Sequence, residues 1–139
     1  MERAAAETST WVSPASRAVL VAVAAGGALG AAMRWAAGVA WPHDPGGWPW
    51  STLVVNLVGC LGVGLAARRL VRGTVAWAFA VTGGLGGFTT FSSFAVEIDD
   101  LIGSGRSTLA VAYVAVTLAA GTTATWIAVR GRTGSTPPS

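Results

Sequence analysis

The sequence predicts an all-α membrane protein with four transmembrane helices, and three observations carry that prediction. Of its 139 residues, 53% are hydrophobic and only 11% are charged, against about a quarter charged in soluble domains. A hydrocarbon core about 30 Å thick is crossed by about 20 apolar residues. Four stretches meet that length: 18–41, interrupted only by Arg34, and the uncharged runs 45–67, 73–96 and 107–129. What remains at the ends, MERAAAETSTWVSPAS and GRTGSTPPS, is polar and rich in small residues, the composition of loose tails. The expected organisation is therefore one membrane domain over 17–130, with helices near 18–41, 48–69, 74–99 and 107–130. Flexible tails over 1–16 and 131–139 flank it.

The first span is too long for the apolar part of a secretory signal and contains Arg34, while Glu2 and Glu7 spoil a basic leader. It is expected to be retained. Inside it, Gly26 and Gly30 stand four apart among Ala24, Ala28, Ala31 and Ala32. Such a small-residue surface lets backbones approach closely, either within the chain or between subunits. A charge as deep as Arg34 faces a cavity or partner, or snorkels to the interface; with Trp35 and Trp41 close by, snorkelling is the expectation. Trp48, Trp50, Trp77 and Trp126 fit the same aromatic belt. The following loop, WPHDPGGWPW, holds the only histidine, His43, beside Asp44. With no second histidine to share a metal, a solvated turn is expected there.

The second span, STLVVNLVGCLGVGL, has one strongly polar side chain, Asn56. A carboxamide at that depth bonds across helices or faces a wet path. Cys60 is alone and reads as a small buried hydrophobe, and no disulfide can form within one chain.

The third span carries Gly83, Gly84, Gly86 and Gly87, then Thr89, Thr90, Ser92 and Ser93. Each glycine weakens a helix by about 1 kcal/mol relative to alanine, and the hydroxyls can bond the backbone groups that unwinding frees. The expectation is a helix broken near the bilayer midplane, whose released carbonyls could coordinate a hard cation and whose second-half amide end favours an anion. A glycine-kinked packing helix is the other reading. Phe91 and Phe94 share a face, and ring edges are electropositive. Glu97 continues that face toward the water boundary, with Asp99 and Asp100 beyond it. In the fourth span Tyr113 and Thr117 are four apart and Gly121 extends their line. The stripe is a path for a small anion or an interhelical contact.

All nine basic residues are arginines, giving a net charge of +3, and they form no basic run among aromatics, which argues against nucleic-acid binding. They mark topology instead. Arg3, Arg17, Arg68, Arg69, Arg72, Arg130 and Arg132 fall on the side of the two ends, and Arg106 alone is in a loop opposite. Both termini are expected in the cytoplasm of a multi-pass plasma (inner) membrane protein.

In this order on successive spans, GGALGAAMRW, STLVVNLVG and GGLGGFTTFSSFAVE resemble the CrcB/Fluc family of fluoride channels, over roughly residues 20–125. The third motif is highly specific. The resemblance implies four-helix subunits paired antiparallel, dual in topology, with two narrow fluoride pores and a structural sodium ion at the dimer centre. It places the sodium-binding backbone carbonyls on Gly86 and Thr89, and the pore phenylalanines on Phe91 and Phe94. The pore asparagine falls on Asn56, the third-helix hydroxyls on Ser92 and Ser93, the acidic residue on Glu97 and the first-helix arginine on Arg34. Tyr113 and Thr117 match a polar track on the fourth helix, and Gly121 departs from it where a hydroxyl is expected.

A chain inserting both ways carries little arginine bias, so the split of seven to one favours pairing with an oppositely oriented paralogue over self-pairing. A small multidrug-type exporter is the nearest alternative, and it needs a carboxylate deep in a span. The first span has none. A non-conducting membrane assembly subunit is the other. No nucleophile, base and orienting group recur together, which argues against an enzyme.

Overall fold

The computed structural model describes residues 14–44 and 46–131. The expected tails, with Glu2, Arg3, Glu7 and Arg132, lie outside the described residues apart from positions 14–16 and Gly131. Four helical stretches are long and apolar enough to cross a membrane: Ala15–Ala40, Trp50–Arg69, Val75–Gly103 and Ser107–Arg130.

The first helix, α1, runs Pro14–Ala40. Proline suits its first turn, where the missing N–H has no helical partner to lose. The second, α2, runs Trp50–Arg69. The third span is composite. A short α-helical turn, Val75–Trp77, is capped by Thr74, whose hydroxyl accepts from the Trp77 amide. Next comes a π-helical segment, Ala78–Leu85, then Gly86–Phe88. Thr89 (φ −73°, ψ 158°) and Thr90 (φ −145°, ψ 123°) are extended. A fresh helix, α3, covers Phe91–Gly103, with the Thr90 hydroxyl accepting from the Ser93 amide at its start. The last helix, α4, is Ser107–Arg130.

The four glycines expected to unwind the third span are themselves helical, and the extended residues are the two threonines after them. The glycines serve close packing against α1. A Cβ on Gly26 or Gly30 would run into the Phe79 or Gly84 carbonyl, and one on Gly83 would lie 2.5 Å from the Val23 carbonyl oxygen. A Cβ on Gly87 would collide with the Gly27 carbonyl. The small-residue face of the first span is thus used within the chain, backbone to backbone.

α2 packs along α4. Gly64 lies against Ala128 there, and Arg68 donates to the carbonyls of Ala128 (3.2 Å) and Gly131 (2.8 Å), satisfying the last carbonyls of α4. A small core joins the helices at the other end: Leu53, Leu101, Ala110 and the fully buried Tyr113, with Trp48, Leu57 and Phe94 packed onto it. Trp48 therefore leaves the expected aromatic belt. Its ring meets Tyr113 edge-on at 5.7 Å. Trp35, Trp50 and Trp126 remain exposed.

Candidate functional site

The extended pair organises the site. In a continuous α-helix the Thr90 amide would bond the Gly86 carbonyl and the Ser93 amide would bond the Thr89 carbonyl. Here the Thr90 amide donates to Asn56 Oδ1 (2.9 Å), and the Ser93 amide donates to the Thr90 hydroxyl (3.1 Å). Gly86 and Thr89 thus keep carbonyls whose helical donors are engaged elsewhere. Two such backbone oxygens are hard donors of the kind that suit an alkali or alkaline-earth cation. The donor set fits the sodium ion implied by the resemblance.

Asn56 grips the same residue twice, since its Nδ2 also donates to the Thr90 carbonyl at 3.1 Å. Of its two alternatives, bonding across helices is realised, and one N–H of the amide is left over. Asn56 also lines an open groove of about 410 Å³, together with Thr89, Phe91, Phe94, Thr117 and Thr125 among others. Phe91 is 80% exposed on its rim. Its ring lies 6.0 Å from that of Phe94, which in turn sits 5.1 Å from Tyr113. Phe91, Phe94, Asn56 and Thr117 are therefore brought together. Thr117 Oγ1 is buried without a hydrogen-bond partner among the described residues.

Ser92 and Ser93 flank the cap, their hydroxyls 3.2 and 3.1 Å from that of Thr90. Ser93 also faces a small cavity of about 80 Å³ shared with Arg34, Thr52 and Thr90. Arg34 finds a partner within the chain: its Nε donates to the Gly87 carbonyl at 3.2 Å, which the close approach of α1 to the third span brings within reach.

Glu97 is enclosed within the chain. It is 8% exposed, held by Thr52 Oγ1 on Oε1 (2.5 Å) and by the Tyr113 hydroxyl on Oε2 (2.7 Å). His43 Nε2 stands 3.9 Å from Oε1, so the histidine loop is folded over this carboxylate. Tyr113 is bonded to Glu97 and is not open to the groove.

Gly121 leaves no hydroxyl at its turn of α4, and Thr122 turns away, bonding back to the Leu118 and Ala119 carbonyls. One turn further, Thr125 lines the groove and donates to the carbonyls of Gly121 (3.0 Å) and Cys60 (3.3 Å). Sequence reading missed Thr52, His43 and Thr125. Two of them had a signal: Thr52 is four residues before Asn56, and Thr125 is four after Gly121, so each shares a face with a residue already singled out. His43 had none, since loop closure alone brings it to Glu97.

Residues 21–129 match the model of the family described as CrcB-like protein, Camphor Resistance (CrcB). The chain is 44% identical to "Fluoride-specific ion channel FluC 1" of Streptomyces coelicolor, an alignment covering 90% of this chain and 82% of that protein. It is 42% identical to "Fluoride-specific ion channel FluC 2" of Nocardia farcinica, covering 78% and 81%. To "Fluoride-specific ion channel FluC" of Hyphomonas neptunium it is 43% identical, covering 76% and 87%. A match spanning all four membrane helices, together with relatives this similar over most of their length, shows that the chain belongs to the CrcB family.

Proposed function

We propose that this chain is the subunit of a fluoride-selective channel that lowers cytoplasmic fluoride by passive efflux across the plasma membrane. Two subunits pair antiparallel, their grooves forming the pores. The observation that carries this reading is the pairing of released carbonyls with an anion-suited groove around one extended backbone segment, read here as a break near the bilayer midplane. The similarity to chains named fluoride-specific ion channels supports it.

Fluoride is small and tightly hydrated, so a low-dielectric passage is closed to it unless protein donors replace the lost water. The spare N–H of Asn56 and the unpartnered Thr117 hydroxyl are such donors. Phe91 and Phe94 offer ring edges, which attract an anion while excluding water. The carbonyls of Gly86 and Thr89 would hold a structural sodium ion between the two subunits, and its charge supplies attraction for an anion in the flanking groove. Asn56 keeps the Thr90 backbone extended, which is what leaves those carbonyls available. With Phe91 so exposed in one subunit, a second subunit completes the wall around the ring.

Fluoride efflux from liposomes holding the purified protein tests the reading. Phe91→Ala should slow efflux by about tenfold, the loss expected for a ring contact worth roughly 1 kcal/mol or a little more. The comparison is made on the dimer fraction from gel filtration, because the second subunit covers this ring and loss of the dimer would also lower flux. Unchanged flux in this variant would reject the pore assignment, and absence of any flux in the unmodified protein would reject the channel.

A further inference from the structure

We propose that His43 is a further residue of the anion route, whose protonation sets how readily an anion passes Glu97. The inference rests on the channel reading and adds to it a residue and a direction of pH response.

Glu97 is fixed from two sides, by Thr52 of α2 on Oε1 and by Tyr113 of α4 on Oε2. Two separate helices hold the two oxygens, so the carboxylate cannot swing aside as an ion approaches. Tyr113 and Phe94 stand between it and the groove, Tyr113 bonding the carboxylate and packing on the Phe94 ring that lines the groove. An uncompensated carboxylate at that position repels an anion.

His43 approaches the same oxygen that Thr52 holds, at 3.9 Å. Its side chain is 30% exposed against 10% for Glu97, so it exchanges protons with water more easily than the group beneath it. The loop carrying it is pinned at its far side, where Arg106 Nη1 donates to the Gly46 carbonyl at 2.7 Å. The imidazole is therefore not on a free strand. The other charged or titratable groups nearby are few. Arg34 of α1 reaches the small cavity that Thr52 also lines, and its Nε is committed to the Gly87 carbonyl. Asp44 adjoins His43 in the loop, Asp99 and Asp100 are exposed on α3, and the Tyr113 hydroxyl is the remaining group that touches Glu97.

Histidine is the side chain whose charge ordinarily changes between about pH 5 and 8. As a neutral imidazole, His43 leaves the Glu97 charge uncompensated behind the groove wall, where it repels an approaching anion through space. Once protonated, it offsets that charge. Flux should rise as pH falls.

Efflux is measured from about pH 8 to about pH 6, subtracting the permeation of hydrogen fluoride through protein-free liposomes at each pH. The unmodified protein should speed up about fivefold on acidification, the scale of a partly exposed ion pair. His43→Ala should be slow and flat with pH, and His43→Lys fast and flat. A pH slope that survives in His43→Ala overturns the proposal. So does a flat profile in a conducting unmodified protein, and that result leaves the channel reading intact. Loss of all flux in both the unmodified protein and His43→Lys rejects the channel reading itself.

Discussion

Two individual positions separate what holds the subunit together from what an ion meets. A Cβ on Gly30 would collide with the Gly84 carbonyl and come within 2.7 Å of the Phe88 amide, both backbone atoms that cannot rotate away. Gly30→Ala should lower stability by about 1–3 kcal/mol, read as a fall in the thermal midpoint in detergent. At Gly27, three residues earlier in the same motif, the nearest atom to a new Cβ is 4.0 Å away. Gly27→Ala should be near neutral, and equal effects at the two sites would remove the backbone-contact argument. Thr117 makes the opposite case. Its hydroxyl is buried and has no hydrogen-bond partner among the described residues, so deleting it relieves an unsatisfied group and costs the fold little. Thr117→Val should retain or slightly raise the thermal midpoint while fluoride efflux drops. A loss of stability would mean that the hydroxyl has a structural partner, and full efflux would take Thr117 out of the anion route.

At the scale of elements, the start of α3 depends on one side chain. The Thr90 hydroxyl accepts from the Ser93 amide, and the Thr90 amide and carbonyl are both held by Asn56. Thr90→Val keeps the shape and the β-branch but removes the cap, and should cost about 1 kcal/mol. Amide hydrogen exchange should show the loss first at Ser93, with Val75–Trp77 unaffected; uniform loosening of the span would argue against a local cap. The same segment shows what the sequence could reveal. Four glycines beside four hydroxyls announced an unusual membrane helix, and apolar run lengths gave the four spans. The glycines did not reveal which residues are extended, because glycine serves equally for unwinding and for close contact. That choice is made by α1, whose own glycines meet them. The partners of Arg34 and Glu97 were hidden for a related reason: spacing gives the face of a side chain but not the distance to the next helix. Once α1 lies against the third span, the Gly87 carbonyl is within reach of Arg34, and Thr52 and Tyr113 enclose Glu97.

The whole molecule poses a question of orientation that its charges answer in advance. Among the described residues, Arg17, Arg68, Arg69, Arg72 and Arg130 belong to the end of the bundle that carries the termini, and Arg106 belongs to the other. Arg68 is occupied in closing the end of α4, while Arg72 and Arg130 lie over the rings of Trp77 and Trp126, at 5.5 and 4.1 Å. Cations held beside interfacial tryptophans are poorly placed to cross a membrane during insertion, and arginine near span ends is retained on the cytoplasmic side. A single chain of this kind should insert mostly one way. An antiparallel pair then needs a second chain of opposite bias. The prediction is checked with a cysteine at Gly103, where an added side chain meets nothing within 4 Å, in a Cys60→Ala background. Labelled in intact cells with a membrane-impermeant maleimide, the chain expressed alone should react nearly completely from outside, since the loop after α3 would face out. Replacing Arg69 and Arg72 with glutamine should weaken the bias and leave a larger fraction unreactive. Half-labelling of the unaltered chain would mean that it inserts equally both ways, and self-pairing would then replace pairing with a paralogue.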